Sequence, residues 1–292
     1  MEGNSTCKKV DMNFTNIFLP AVYSGVFIFG LIGNCWGLHS IYTNWRKLGN
    51  VNIFVLNLCM ADILHLLTLP FLVDYYKEKS MWRFGQAACK LIRFSFNMNL
   101  YGSIGFLTCI SLYRYLGIVH TLKVNGRITV GHSIAVSSLV WLLVFLQSLP
   151  ELLFEKTSRN ITKCYDTTSN RQIQNYMKYS IGHTIIGFVI PLIILLVCYG
   201  HIALVLATKK NVEALLKSRC LRLVLILVLL FSVCFIPFHI FRNLNLSTRL
   251  SKLQNMCRKW YANVYIANQI SHGLACMNSA IDPLLYLHVK VY

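Results

Sequence analysis

Long apolar stretches alternate with short polar connections along almost the whole chain. The stretches are residues 17–42, 52–73, 94–113, 133–150, 179–208, 223–241 and 260–281. About 20 residues in a helix cross a hydrocarbon core of about 30 Å, because each residue adds about 1.5 Å. A lipid-buried segment must also satisfy its own backbone hydrogen bonds, which favours helices. The pattern predicts an all-α membrane protein, a bundle of seven transmembrane helices.

Composition strengthens this prediction. Hydrophobic residues make up 55% of the 292 residues and charged residues only 13%, about half the charged fraction of a typical soluble domain. The predicted parts are an extracellular tail over 1–16, the transmembrane domain over 17–288 and a short cytoplasmic end over 289–292. The polar start has no apolar core of a signal peptide, so we expect the first span to direct insertion.

The amino terminus is predicted to be extracellular. The sequons at Asn4, Asn13, Asn160 and Asn245 all fall on one side, with Asn245 placed just beyond the sixth helix, and the first three are candidate glycosylation sites. Lys and Arg are more numerous on this outer side, so the positive-inside rule alone favours the reverse orientation. The sequons, cysteines and motifs agree with one another and outweigh it. A basic outer mouth then favours an anionic partner, with a solvated surface or heparan and lipid contact as alternatives.

Four of the eleven cysteines lie on the predicted outer side, namely Cys7, Cys89, Cys164 and Cys257. An even number on the oxidising face suggests two disulfides, and four cysteines allow three pairings. We favour Cys89–Cys164, which would fold the loop after the fourth span over the bundle as a lid. We also favour Cys7–Cys257, which would tie the tail to the loop before the seventh span. No close pairing with further cysteines or histidines favours a metal site here.

Short motifs occur in order along the seven stretches. They are Gly33-Asn34, Asn57 to Asp62, Trp82 to Gly85, Arg114, Trp141, Pro191 with Tyr199, Phe231 to Pro237, and Asp282 to Tyr286. In these motifs the chain resembles the rhodopsin-like G-protein-coupled receptors over nearly its whole length. The resemblance implies a multi-pass plasma-membrane receptor that activates a heterotrimeric G protein. It assigns the activation switch to Arg114, Tyr199, Phe231, Pro237, Asp282, Pro283 and Tyr286.

Within that class the chain resembles the metabotropic nucleotide receptors, particularly the branch that senses adenine nucleotides. The matching segments are Asn99 to Ile104, Cys109 to Ser111, Cys164 to Ser169 and Phe238 to Leu246 with Arg249 following. This resemblance implies an extracellular ADP- or ATP-like ligand and signalling to phospholipase C and calcium. It also implies the Cys7–Cys257 disulfide. No enzyme constellation is present, and we expect neither catalysis nor a nucleic-acid partner.

Polar residues near the outer ends of the third and sixth spans form the candidate ligand site. Arg93, Asn97 and Tyr101 share one helical face, as do His239 and Arg242. Two arginines from different helices suit a phosphate, because guanidinium presents a planar fork to oxyanions. The alternative is that either arginine merely extends its charged end to the membrane–water interface. With the positions that the resemblance adds, the candidate site is Arg93, Asn97, Tyr101, Tyr165, Asp166, Thr167, His239, Arg242, Asn245, Arg249, Gln269 and His272.

His272 departs from the family pattern, which commonly has an arginine at this position. A histidine is largely neutral at pH 7 and attracts an anion less strongly. The departure keeps open a receptor for another small anion, such as a dicarboxylate or a lysophospholipid. A transporter or channel would require internal repeats and discontinuous helices. A weakly signalling or non-signalling binding protein is the remaining alternative.

Asp62 lies in the middle of the second span, where an ionised carboxylate is costly without partners. The resemblance places Ser103, Asn278 and Asp282 around it and implies a bound sodium ion. A protonated, hydrogen-bonded Asp62 without an ion is the alternative. No other cofactor is expected.

The cytoplasmic side carries further expectations. Tyr113 replaces the acid that the family usually has before Arg114, so we expect a looser inactive state with higher basal signalling. Pro191, Pro237 and Pro283 are predicted kink points. The basic inner loops suit both anionic membrane lipids and a G-protein surface. The chain does not continue into the usual amphipathic helix and phosphorylatable tail, so we expect either a truncated sequence or a receptor without normal arrestin control.

Overall fold

The computed structural model describes residues 13–43, 49–120, 127–158, 160, 162–208 and 225–289. Seven helical spans follow one another: α1 (Asn13–Thr43), α2 (Asn50–Lys77), α3 (Gly85–Val119), α4 (Val130–Leu152), α5 (Ile173–Thr184, Ile185–Val189 and Ile190–Thr208), α6 (Leu225–Leu253) and α7 (Tyr261–Val289). Within these ranges no β-strand occurs, and one isolated bridge pairs Thr157 with Cys164. The predicted all-α, seven-helix fold is confirmed.

The helices form a closed bundle. α1 packs against α2 and α7, α6 packs against α5 and α7, and α3 contacts α2, α4 and α5. Leu58, Leu107 and Phe231 are buried in the common core, whereas Phe29 and Val197 on the outside are 70% and 65% exposed. Large apolar side chains on the outside of a bundle are what a lipid environment requires.

Six of the seven spans, α1 to α6, are long and apolar enough to cross a membrane by length and composition. α7 has 29 residues but is less apolar than the others because polar side chains face the interior of the bundle. The buried polar residues of α7 are Asn268, Gln269, Ser271, His272, Asn278, Ser279 and Asp282.

The helices extend further outward than the apolar stretches predict. α3 begins at Gly85 and α6 ends at Leu253, so Arg93, Arg242 and Asn245 all lie inside helices. The prediction that Asn245 lies beyond the sixth helix is wrong, and its side chain is only 7% exposed. Hydropathy underestimates the length of these helices, because the polar residues of their outer turns point into the bundle and form contacts there.

Two π-helical turns interrupt the spans. Ile185–Val189 precedes Pro191 in α5, and Phe231–Phe235 precedes Pro237 in α6. Proline has no backbone N–H, so the preceding turn must rearrange its hydrogen bonds. These turns lie where two of the kink points were predicted.

A close approach joins α1 to α7. A Cβ atom at Gly33 would lie 2.7 Å from the Pro283 ring, so only glycine allows the two helices to meet here. From the next residue of α1, Asn34 Nδ2 donates a hydrogen bond to the Ser279 carbonyl at 2.8 Å. The position of Pro283 and of the polar residues next to it is thereby fixed against α1.

Candidate functional site

A cavity of about 330 Å³ opens at the outer end of the bundle, between the loop after α4 and the outer turns of α2, α6 and α7. Six residues of the predicted ligand site line it: Tyr165, Asp166, Thr167, Asn245, Arg249 and Gln269. Sequence reasoning missed five further lining residues, Tyr75, Tyr76, Ser80, Lys163 and Tyr265. No sequence signal marked these five, because their proximity depends on how the loop folds over the helix ends.

The loop after α4 covers the cavity because a disulfide fixes it. Cys164 is bonded to Cys89 in α3, which confirms the predicted pairing. Two backbone hydrogen bonds flank this point, from Tyr165 N to the Lys156 carbonyl at 2.7 Å and from Ser158 N to the Lys163 carbonyl at 3.2 Å. The loop is therefore a short hairpin held at its centre.

The second predicted disulfide is only half within the described part of the chain. Cys257 is disulfide-bonded, but Cys7 lies outside the described residues, so the pairing stays a prediction. Of the predicted glycosylation sites, Asn160 is exposed. Asn4 lies outside the described residues, and so does the side chain of Asn13.

Arg249 connects α6 to the covering loop. Its Nη1 donates to Thr167 Oγ1 at 2.6 Å, and its Nη2 donates to the Thr168 carbonyl at 2.9 Å and to Asn170 Oδ1 at 2.8 Å. All three acceptors are neutral, so none of these hydrogen bonds compensates the positive charge of the guanidinium at the cavity wall. The loop is thereby tied to α6.

Arg93 lies almost completely buried, 1% exposed, and forms an ion pair with Asp166 at 2.6 Å. Gln269 Nε2 donates to the other carboxylate oxygen at 3.3 Å. Burial alone would raise the pKa of Asp166, but the Arg93 guanidinium holds it below its ordinary value. Among the described residues, Nε and Nη1 of Arg93 have no hydrogen-bond partner. A buried guanidinium with two unused N–H groups can donate to a further oxygen.

Arg242 does not line the cavity, and its charge is already partly compensated. Its Nη2 lies 3.1 Å from Glu151 Oε1 and donates to the Tyr176 hydroxyl at 2.6 Å. Its Nη1 donates to Asn97 Oδ1 at 3.4 Å, while Asn97 Nδ2 donates to the Arg93 carbonyl at 2.9 Å. The predicted residues Arg93, Asn97 and Arg242 are therefore brought together, but as neighbours in a network that continues to Glu151.

Glu151 and Lys156 were not predicted, and both are fully buried. Lys156 Nζ contacts Glu151 Oε2 and donates to the Thr167 carbonyl, and the Tyr176 hydroxyl donates to Glu151 Oε1 at 2.8 Å. Burial lowers the pKa of Lys156 to about 8, although the Glu151 carboxylate opposes this shift. The available sequence signal was Glu151, a lone charge in the otherwise uncharged run from Ser148 to Phe154.

Tyr101 and His239 lie deeper in an aromatic cluster. The Tyr101 ring stacks on His183 at 3.8 Å between centroids, and His239 stacks on Phe188 at 4.3 Å. Neither Tyr101 nor His239 lines the outer cavity. In this structure they form the floor beneath the charged network.

His272 is also packed rather than open to the cavity. Its ring stacks on Phe96 at 4.4 Å, and its Nδ1 is hydrogen-bonded to the Tyr23 hydroxyl at 3.1 Å. An aromatic neighbour and a tyrosine hydroxyl suit a neutral imidazole. The position that is commonly an arginine in the family therefore holds a histidine that packs among aromatic side chains.

Two carboxylates meet in the centre of the bundle. Asn99 Nδ2 donates to Asp62 Oδ1 at 2.8 Å, and Asn278 Nδ2 donates to Asp282 Oδ2 at 2.9 Å. Both acids are fully buried. Within the described residues four buried oxygens have no hydrogen-bond partner: Asp62 Oδ2, Ser103 Oγ, Asn278 Oδ1 and Asp282 Oδ1. They belong to the four residues predicted to bind sodium, and a hard cation prefers such oxygen ligands.

The cytoplasmic ends are linked by neutral hydrogen bonds. Asn50 Nδ2 donates to the Tyr113 hydroxyl at 3.0 Å, which joins α2 to the end of α3 next to Arg114. The hydroxyls of Ser111 and Tyr199 lie 2.5 Å apart, which joins α3 to α5.

Two more predicted switch residues lie in the helices that carry the prolines. Phe231 packs against Phe235 with ring centroids 5.2 Å apart within the π turn of α6. Tyr286 lies in α7, and its side chain is outside the described part.

Comparison with known proteins adds independent information. Residues 33–286 match the family described as 7 transmembrane receptor (rhodopsin family). The chain is 42% identical to purinoceptor 1 of Gallus gallus over 290 residues, which is 97% of this chain and 80% of the relative. It is 41% identical to purinoceptor 1 of Homo sapiens over 96% of this chain and 76% of the relative.

Purinoceptor 3 of Gallus gallus is 38% identical, with 97% of this chain and 88% of the relative covered. Identities near this level over almost the full chain leave no segment of the bundle unmatched. Together with the seven-helix fold and the covered outer cavity, they show that the chain belongs to the purinoceptors within the rhodopsin family of seven-transmembrane receptors.

Proposed function

We propose that this protein is a receptor for an extracellular adenine nucleotide and that it signals through a heterotrimeric G protein to phospholipase C and calcium. As a member of the purinoceptor family the chain is a multi-pass plasma-membrane receptor and not an enzyme. The relatives are named purinoceptors, which supports a purine ligand for this chain.

The observation that carries the proposal is the chemistry of the outer cavity. Arg249 and Lys163 place positive charge on its wall, and Arg93 lies buried behind the lining residue Asp166, with which it forms an ion pair. Phosphate oxygens are suited to such donors, because guanidinium binds oxyanions with charge-assisted hydrogen bonds.

The remaining lining suits a base and a ribose. Tyr75, Tyr76 and Tyr265 supply ring surface for stacking, and Asn245 and Gln269 supply amide groups. The volume of about 330 Å³ falls within the range of small-ligand pockets. A nucleotide therefore meets a phosphate end, an aromatic surface and polar groups in one cavity.

A sodium ion is proposed at the central carboxylates. The residues that would hold it are Asp62, Ser103, Asn278 and Asp282, whose unpaired oxygens give the donor set that a hard cation needs. When bound, the ion would supply positive charge between two carboxylates that otherwise repel each other. The alternative, a shared proton between Asp62 and Asp282, would leave sodium without effect.

Coupling to the G protein is assigned to the cytoplasmic ends of α3, α5, α6 and α7. Arg114 would contact the G protein after the inner end of α6 moves outward. Tyr199 and Tyr286 would then contact Arg114. The hydrogen bonds at Tyr113 and Tyr199 described above must be exchanged for this to happen. Ligand affinity must therefore differ between the two states.

The test is a ligand panel on cells that express the chain, with intracellular calcium and cyclic AMP as readouts. The panel contains ADP, ATP, UDP, UTP, succinate and lysophosphatidate. We expect responses to adenine nucleotides, and a loss of potency of roughly 10- to 100-fold in Arg249→Ala, because a charge-assisted contact is removed.

Lys178→Ala is the matched control, since Lys178 is an exposed cation of α5 outside the cavity. Its potency should stay within about twofold of the unchanged receptor, as is usual for surface substitutions. A response to succinate or lysophosphatidate alone would contradict the nucleotide assignment and leave the receptor assignment intact.

A further inference from the structure

One wall of the cavity has a second charge layer directly behind it. Thr167 lines the cavity and accepts hydrogen bonds from both sides. Its hydroxyl accepts from Arg249, and its backbone carbonyl accepts from Lys156. Lys156 is fully buried, so a ligand at this wall is one residue away from a cation that it does not touch.

The second layer is not electrically balanced. Lys156 and Arg242 carry two positive charges and share one carboxylate, Glu151. Glu151 and Lys156 are fully buried and Arg242 is 5% exposed. Charges in a poorly hydrated region are weakly screened, so their field reaches further than it would at a surface. The cluster therefore carries one net positive charge, which makes the electrostatic potential inside the cavity more positive.

We infer that Glu151 and Lys156 determine how much negative charge the cavity prefers in its ligand, and hence how many phosphate groups the bound nucleotide carries. The inference rests on the proposed function and assigns its charge selectivity to two residues that do not contact the ligand. They act through Thr167 and Arg242, so they are positioning and selectivity residues rather than ligand contacts.

The physical consequence is a change in the slope of potency against ligand charge, in addition to a change in overall potency. Nucleoside mono-, di- and triphosphates carry charges of about −2, −3 and −4 at neutral pH. One buried charge about 10 Å away, in a medium between protein and water, changes the affinity by about threefold for each ligand charge. A purely structural defect would change the potency of all three ligands by a similar factor.

The experiment measures potency for AMP, ADP and ATP in receptors matched for surface expression. Glu151→Gln removes the carboxylate that raises the pKa of Lys156, so Lys156 should lose its proton and the cluster should keep one net positive charge. The slope of log potency against ligand charge should then stay the same. Lys156→Met removes one positive charge and leaves Glu151 paired with Arg242, so each negative charge on the ligand should add about threefold less to the potency. The double variant Glu151→Gln/Lys156→Met restores the net charge and should restore the slope.

Glu155→Gln is the matched control. Glu155 lies on the same loop and accepts a hydrogen bond from Ser169 Oγ at 2.6 Å, but its carboxylate is partly exposed. The same change of charge at this position should leave the slope unchanged, because water screens it. Lys156→Met tests the inference independently of Glu151→Gln, since it leaves Glu151 paired with Arg242.

A shallower slope in Lys156→Met, which returns to the wild-type value in the double variant, would support the inference. Equal losses of potency for all three nucleotides would overturn it and assign the cluster a structural role only. A wild-type receptor that answers no nucleotide would reject the proposed function itself, whereas a normal wild-type response with unchanged variant slopes would reject this inference alone.

Discussion

The outer charge network and the central carboxylate pair both bury charged groups, but the excess charge has the opposite sign in the two regions. At the outer end Arg93, Arg242 and Lys156 are held by two acids, Asp166 and Glu151, and positive charge is in excess. At the centre two acids face each other, and their hydrogen bonds come from neutral amides. One region has too many cations and the other has too many carboxylates.

The difference teaches what each region lacks. Buried charge of one sign is costly unless a partner of opposite charge is supplied. The outer excess lies buried behind the cavity wall, and its field can be balanced by an anion that enters the cavity from the extracellular side. The central excess is enclosed by α2, α3 and α7 and suits a small cation. The same physical argument thus supports the nucleotide proposed at one site and the sodium ion proposed at the other.

The largest expected effect is the removal of a cation from the outer network. Arg242→Ala leaves Glu151 and Lys156 as a neutral pair, so the excess positive charge disappears. For a nucleoside diphosphate we expect a loss of potency of about thirtyfold, which is threefold for each of about three ligand charges. Calcium release in response to ADP, at equal surface expression, measures it. Arg242→Lys keeps the charge and should retain most of the potency; an Arg242→Ala receptor with unchanged potency would contradict the network argument.

A smaller effect is expected from the removal of an acid at the centre. Asp62→Asn removes a carboxylate whose Oδ2 has no described partner, so Asp282 is the one carboxylate that remains of the pair. Replacing sodium by N-methylglucamine should change agonist affinity by about tenfold in the unchanged receptor and have no effect in Asp62→Asn, as expected for a coupled site. Radioligand binding in the two salts measures this. The preference among AMP, ADP and ATP should stay the same, and sodium sensitivity that survives the substitution would exclude this site.

The smallest effect is expected from pH. Burial lowers the pKa of Lys156 to about 8, so its charge decreases as the pH rises through this value, and the attraction for an anion decreases with it. Between pH 7.4 and 8.6 nucleotide potency should fall by about fourfold, because the ligand phosphates are already ionised in this range. The charged groups that face Lys156 are Glu151, Arg242 and Arg93, and carboxylates and guanidinium groups do not normally change charge here.

Lys156→Met provides the internal comparison for the pH effect. The variant has no group of this kind at the wall, so its potency should be the same at both pH values. A fourfold decrease in Lys156→Met as well would assign the effect to another group.

The sequence was sufficient for the fold, because seven apolar stretches report helices that lipid surrounds. It was insufficient for helix length. Arg242 and Asn245 extend α6 outward as a helix although hydropathy ends earlier, since their side chains are satisfied by tertiary partners. The same reason keeps α7 below the apolarity of the other spans: Gln269, His272 and Asp282 face inward.

The candidate site was predictable by half. Arg249, Asp166 and Thr167 line the cavity as expected, since local motifs identify them. The partners of Arg242 were not predictable, because Glu151 and Tyr176 reach it from other helices at separations of 91 and 66 residues. His272 shows the reverse case, in which a position expected at the ligand is packed between Phe96 and Tyr23.

The two arginines of α6 also connect its outer end to two neighbouring elements. Arg242 and Arg249 lie two helical turns apart on one face. The inner one holds the end of α4 through Glu151, and the outer one holds the loop through the Thr168 carbonyl. Rotation of α6 would carry both guanidinium groups away from their acceptors together. The end of α4 and the covering loop are therefore both coupled to the orientation of one helix.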